Sequence, residues 1–197
     1  NKGTHWYMLD LAAWSALQML YIVEFANFYS QDTLGKGWNT GAVGAMGGTT
    51  GSAYHTIKTT GAHNQYRWIE DPFSNVSTWI DGFVASSRTV YAAASNTGYA
   101  GGTTDLENTG ITLPSSNFAT GLGYSEQAAW AFIPDAASNG SASTYLTDRV
   151  YSYSGTCVAC VGGSYSDYDY YGLFYLYASY NASDTDAYIG SRLLYNP

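Results

Sequence analysis

The sequence predicts a single α+β domain made of one early helix, several short antiparallel strands and long loops. Three observations carry that reading. Residues 11–25 place apolar side chains at three- and four-residue spacing, later segments alternate or run apolar at strand length, and clusters of Gly, Asn, Ser and Thr separate them. With 197 residues, 46% of them apolar, the chain can bury one core of its own, so residues 1–197 are read as one domain. The sequence opens at Asn1 with no initiator Met, and it is expected to be the C-terminal part of a longer protein.

Residues 5–9 (His5-Trp6-Tyr7-Met8-Leu9) read as a short strand running into Asp10, an acceptor suited to cap the helix that follows. From Leu11 to about Phe25, Trp14, Leu17, Leu20, Tyr21 and Glu24 fall at helical spacing, while Ala12, Ala13 and Ala16 favour the helix. Its apolar face is expected to pack on a sheet. Residues 35–61 are dense in Gly and Thr and read as loop; a phosphate cradle would need a Lys-Ser/Thr ending that is absent. Residues 66–82 combine Trp68 and Trp79 with a turn at Pro72 and a β-like run into Gly82, which marks the structural centre and places Trp79 in the core. Further strands are expected at 89–93, 128–133, 149–153 and 173–178.

Composition excludes several functions. Seven basic residues against fifteen acidic give a net charge of -8, and the scattered Lys and Arg form no nucleic-acid footprint. No run is long and apolar enough to span a membrane. Twenty Tyr, six Trp and seven Phe exceed what one core needs, so many Tyr are expected at the surface, where they give rigid, amphipathic contact area. Strand propensity alone is the competing explanation.

Chemistry-bearing patterns are sparse. Cys157 and Cys160 are read first as small core or loop residues, then as a local disulfide, and last as a redox or metal pair. His5, His55 and His63 lie far upstream with no paired spacing, so neither a metal nor another cofactor is expected. Glu70 and Asp71 are adjacent in a turn, where such side chains usually cap or solvate. No Gly-x-Ser-x-Gly elbow presents a nucleophile. Asn75, Asn139 and Asn181 match the glycosylation acceptor pattern as chance matches in a Ser-rich chain.

The composition changes after Trp130. Residues 131–197 contain no Lys, Glu, Gln, Met or Trp, whereas the preceding 130 residues carry twenty of them. Codons of those five types end in a purine. Tyr, Asp, Ser, Asn, Gly, Ala and Thr are all reachable from a pyrimidine-ending Asn codon by changing its adenines, so adenine-directed mutagenesis would leave this residue set behind. A low-charge β-rich tail shaped by packing is the alternative.

Three blocks carry a family resemblance: the helix around Trp14-Ser15-Ala16-Leu17-Gln18, residues 67–82, and Gly162-Gly163-Ser164-Tyr165 with Ile189-Gly190-Ser191-Arg192-Leu193. They resemble the C-type-lectin-like fold shared by formylglycine-generating enzymes and the variable proteins of diversity-generating retroelements, including phage tropism determinants. Trp68 stands where the family pattern has Gly, and Phe73-Ser74 where it has Trp-Gly. In the enzymatic branch two copper-binding Cys follow the Gly-Gly-Ser-Tyr turn; the matching positions resemble Asp167 and Gly172, which supply no thiolate. Calcium-lectin signatures are missing too, with Glu70-Asp71-Pro72 only a faint echo.

The resemblance therefore implies a non-enzymatic receptor-binding display domain at a phage tail tip or bacterial cell surface, facing a host or bacterial receptor that is protein or glycan. A homotrimer fits fibre tips. A divergent formylglycine-type enzyme that lost its copper cysteines, or a structural virion subunit, are the alternatives. Set against the family, residues 157–191 form the variable region, with Phe174, Leu176, Ala178, Ile189 and Gly190 as scaffold. The ligand-binding set is Ser166, Asp167, Tyr168, Asp169, Tyr170, Tyr175, Tyr177, Ser179, Tyr180, Asp184, Asp186 and Tyr188. On a strand, Tyr175 and Tyr177 would share an outward face opposite Phe174, Leu176 and Ala178.

Overall fold

The computed structural model describes residues 5–39, 41–42, 44, 55–56, 62–93, 102–138, 144 and 146–195. Much of the Gly- and Thr-rich stretch at 35–61, and Asn139, lie outside the described residues. In chain order the elements are β1 (Trp6–Met8), α1 (Leu11–Phe25), α2 (Ser30–Leu34), β2 (His55–Thr56), β3 (Gln65–Tyr66), β4 (Ile69–Glu70), β5 (Ser77–Ser86) and β6 (Thr89–Ala92). There follow β7 (Glu107–Thr112), β8 (Ser116–Leu122), a 3-10 turn at Glu126–Ala128, β9 (Pro134–Ser138), β10 (Arg149–Ser152), β11 (Thr156–Val161), β12 (Leu176–Tyr180), β13 (Ile189–Ser191) and β14 (Leu193–Tyr195). Among the described residues the fold is mixed α+β, mostly strands with two helices.

A nine-stranded sheet dominates, in the order β7-β6-β5-β11-β12-β10-β8-β9, with β13 pairing in parallel onto β5. β1 and β14 form a separate antiparallel pair, and β2, β3 and β4 a third small sheet. Helix α1 begins where Asp10 accepts the Ala13 amide at 2.7 Å, which satisfies one of the open donors of the first turn. It ends at Ala26 in the left-handed conformation, whose N–H reaches Ile22 O. The helix lies against β5 and buries Leu11, Trp14, Leu17 and Tyr21 in one core with Ile80, Phe83, Val161 and Leu176. Its outer side carries Met19, Leu20 and Val23 into solvent. The expectation for Leu20 is corrected: it is 42% exposed, because the buried face centres on Trp14, Gln18 and Tyr21, a turn's fraction away.

Three further expectations change. His55–Thr56 is a strand that pairs with β3, inside the stretch read as loop. The strand expected at 128–133 is a turn, because Ala128 and Ala131 donate to Ser125 O and Ala128 O, and extended pairing starts only at Pro134. The strand expected at 173–178 begins at Leu176. Residues 171–174 are held by side chains instead of a ladder: Gln18 Nε2 and Gln31 Nε2 donate to Leu173 O (2.7 Å) and Tyr171 O (2.6 Å), Ser30 Oγ accepts Leu173 N (3.0 Å), and Asp148 Oδ2 accepts Phe174 N (2.8 Å). These partners surround Gly172 so closely that a Cβ there would lie 2.3 Å from Asp148 Oδ2 and 2.5 Å from Ser30 Oγ.

Candidate aromatic binding face

Strands β10 and β12 have one buried and one half-open face, whereas β5 and β11 are buried on both apart from Trp79 and the strand ends. On β10, Val150 and Ser152 point inward while Arg149 and Tyr151 stay half-exposed; on β12, Leu176 and Ala178 are buried while Tyr177 and Ser179 are half-exposed. Strand registry aligns these positions across the sheet. Tyr151 sits opposite Tyr177, Tyr177 opposite Cys160, Cys160 opposite Trp79, and Trp79 opposite Ser191. This cross-strand row runs over β10, β12, β11, β5 and β13.

Its rings touch. Tyr151 and Tyr177 have centroids 5.5 Å apart, Tyr177 and Tyr180 4.6 Å, and Trp79 meets Tyr180 edge-on at 5.8 Å. Tyr180 donates its hydroxyl to Tyr188 at 3.1 Å, and Tyr188 in turn contacts Tyr165 edge-on. At the other end Arg149 lies 3.8 Å over the Tyr170 ring and 4.8 Å over Phe118, and donates to the Tyr151 hydroxyl at 2.9 Å. Partial burial raises the pKa of Tyr177, and burial together with the Tyr188 contact raises that of Tyr180, so both phenols are neutral donors at physiological pH.

The residues expected to bind divide into two groups. Tyr177, Ser179, Tyr180 and Tyr188 belong to this face, half-exposed. Ser166, Tyr168, Asp169 and Tyr170 sit on the loop beside it, and Asp184 and Asp186 on the loop between β12 and β13. Tyr168 is 74% exposed; Asp169 pairs with Lys36; Asp184 and Asp186 accept the Asn181 and Ala187 amides. Asp167 is half-buried and structural: Oδ2 accepts the Ser164 amide at 2.7 Å and its hydroxyl at 2.8 Å, closing a turn.

Tyr175 requires a correction. It is 2% exposed, because the strand whose alternation would turn it outward starts one residue later, and its ring points inside from the turn before β12. Trp79, expected in the core, is instead half-buried on the aromatic face. Sequence reading also passed over Arg149, Tyr151 and Tyr165. The signal for the first two was present, since Arg149-Val150-Tyr151-Ser152 alternates at strand period.

Cys157 and Cys160 are free and buried, and burial pushes both thiols above their ordinary range. They are protonated at neutral pH and poorly suited to act as nucleophiles or soft ligands. The positions that the resemblance would match to copper-binding Cys hold a turn-forming carboxylate, Asp167, and Gly172, where an added Cβ would crowd the Asp148 and Ser30 side chains; neither supplies a thiolate for a copper(I) centre. His63, Glu70 and Asp71, by contrast, converge through the β3–β4 hairpin, with one ligand-type atom of each within 4.8 Å of the others. No helix among the described residues is long and apolar enough to cross a membrane. No family model matches the chain, and no curated protein matches it.

Proposed function

We propose that this chain is a non-enzymatic receptor-binding display domain with a C-type-lectin-like fold, diversified by a retroelement and carried at a phage tail tip or bacterial cell surface. One observation carries the reading: the row of Tyr151, Tyr177 and Trp79, extended by Tyr180 and Tyr188, stands half-exposed on a sheet whose opposite face is fully packed. Such rings give large contact area at small entropic cost, and their neutral hydroxyls supply hydrogen bonds that suit protein or glycan surfaces. The flanking loops add Ser166, Asp169, Asp184 and Asp186 as adaptable polar contacts. The buried thiols and the closed Gly172 position favour binding over an oxidase role.

The test is binding of the fluorescently labelled domain to a panel of intact bacterial strains, read by flow cytometry. A variant with Trp79, Tyr177 and Tyr180 changed to Ala is expected to lose all strain binding, while Val23→Ser on the far side of α1 leaves it unchanged. Equal binding by the triple variant, with its fold verified by circular dichroism, would move the site elsewhere. In the encoding genome, a near-identical repeat differing at adenines beside a reverse transcriptase gene is the expected companion.

A further inference from the structure

We propose that His63, Glu70 and Asp71 form a binding site for a divalent first-row transition-metal ion, of the Zn²⁺ or Mn²⁺ class. The site is made by the β3–β4 hairpin: Gln65 pairs with Glu70 and Tyr66 with Ile69, which folds His63 back onto Asp71. His63 Nδ1 lies 2.5 Å from Asp71 Oδ2, and the ring stacks on Trp38 at 4.9 Å and 18°, so the imidazole is held in place before any ion arrives. An ion shared by both residues would replace the proton between His63 Nδ1 and Asp71 Oδ2, so that binding releases that proton.

A second observation points to a missing cation. Asp71 Oδ1 is buried with no hydrogen-bond partner, and so are Asn64 Oδ1 and Gln65 Oε1 on the same hairpin. Their residues are 6%, 0% and 3% exposed. Gln65 lies directly across from Glu70 in the ladder, so the two side chains share one face. Asp71 Oδ1, and Gln65 Oε1 on the Glu70 side of the ladder, are buried acceptors without donors, which are costly in a folded protein and favour a positively charged or donating occupant. Arg192 lies beside both residues, but its guanidinium donates to the main-chain oxygens of Glu70 and Asp71 and leaves Asp71 Oδ1 without a hydrogen-bond partner. Asp71 Oδ2 is already taken by His63 and by Asn75 Nδ2 at 2.9 Å.

Beside the carboxylates a cavity of about 70 Å³, lined by Glu70, Asp71, Asn75, Thr78, Ser191 and Arg192, has room for water ligands to complete a coordination shell. One imidazole nitrogen with carboxylate oxygens matches Zn²⁺ or Mn²⁺ better than Ca²⁺, which takes oxygen ligands in larger number. A bound ion would be structural. It would tie the Trp38 segment and the β3–β4 hairpin to the residues that follow β13.

The full chain, stripped with a chelator and dialysed, is titrated with ZnCl₂, MnCl₂ and CaCl₂ separately, with native mass spectrometry for stoichiometry, calorimetry for affinity and thermal melting for stability. One Zn²⁺ or Mn²⁺ per chain and a higher Tm are expected, with Ca²⁺ much weaker. Glu70→Gln and His63→Gln should each weaken binding at least roughly tenfold. Glu70 is only half-buried, so E70Q, with its fold verified by circular dichroism, remains informative if H63Q fails to fold. Absence of 1:1 binding, undiminished affinity in folded E70Q, or preference for Ca²⁺ would each overturn the assignment.

Discussion

Tyr175 donates its hydroxyl to Asp167 Oδ1 across 3.2 Å, and the same carboxylate closes the turn at Ser164 through Oδ2. The pair is a strut between the Gly-Gly-Ser-Tyr turn and the lead-in to β12, set inside the region expected to vary. Burial pushes the Tyr175 phenol well above its ordinary pKa, so this hydroxyl remains a donor throughout the physiological range.

Tyr175→Ala should therefore cost stability. Removing a fully buried aromatic ring typically costs about 3 to 5 kcal/mol. Tyr168→Ala, at a side chain 74% exposed, should stay within roughly 0.5 kcal/mol of the parent. Urea melts of the two variants beside the parent make the comparison. Equal midpoints would mean that Tyr175 does not belong to the core.

Asp148 gives the domain a pH signature. It is fully buried and accepts from Phe174 N at 2.8 Å and the Thr147 hydroxyl at 3.2 Å; burial dominates and raises its pKa from 3.8 to about 7. The folded state thus holds this proton more tightly than the unfolded chain does. Its contribution is full below about pH 4 and is lost as pH rises through about 7, a change on the order of 4 kcal/mol. Asp148→Asn stays neutral at every pH, so its Tm should fall less than the parent's between pH 5 and pH 8. Parallel Tm profiles would show that Asp148 is not titrating in this window.

How much of this was legible varies by element. Helix α1 and its Asp10 cap could be read because both signals are local: side-chain spacing, and an acceptor one residue before the first turn. The inward-outward alternation of Arg149-Val150-Tyr151-Ser152 and of Leu176-Tyr177-Ala178 is local as well. The start of β12 was not legible, since residues 171–174 are kept off the ladder by Gln18, Gln31, Ser30 and Asp148, whose donors and acceptors come from 26 to 155 positions away. Trp79 was misplaced for a similar reason. A Trp inside an apolar run gives no hint that its cross-strand neighbours are the buried Cys160 and the exposed Ser191, or that its ring meets Tyr180. The His63 and Asp71 meeting depends on a two-residue hairpin turn, Arg67-Trp68, that carries no Gly to announce it.

That turn is itself testable. Arg67 and Trp68 have φ of 49° and 61°, the left-handed region of a type I′ hairpin turn, where Gly is favoured at the second position. The family pattern it resembles carries Gly there. Trp68 is 63% exposed at the rim of an apolar groove that also holds Leu20 and Leu193. Relief of the left-handed backbone is worth about 1 kcal/mol per residue, so Trp68→Gly should match or exceed the parent's stability. A loss greater than about 1 kcal/mol would show that ring contacts across the groove outweigh the backbone term.

Folding and specificity should separate along the line between exposed and buried members of the variable region. One library exchanges Ser166, Tyr168, Asp169, Tyr177, Ser179, Tyr180, Asp186 and Tyr188 among Tyr, Asp, Ser, Asn, Gly, Ala and Thr. A second exchanges only Asp167 and Tyr175 among the same residues. In the first, every altered side chain is exposed or half-exposed over strands whose inward residues are untouched, so most members should resist protease and bind different bacterial strains from the parent. In the second, the hydroxyl–carboxylate strut is broken and a ring 2% exposed is removed, so most members should be proteolysed despite only two changes. Protease sorting followed by strain binding reads both outcomes. Equal survival of the two libraries would show that Asp167 and Tyr175 are as replaceable as the open face, whereas folded members of the first that keep the parent's strain preference would place recognition outside the aromatic row.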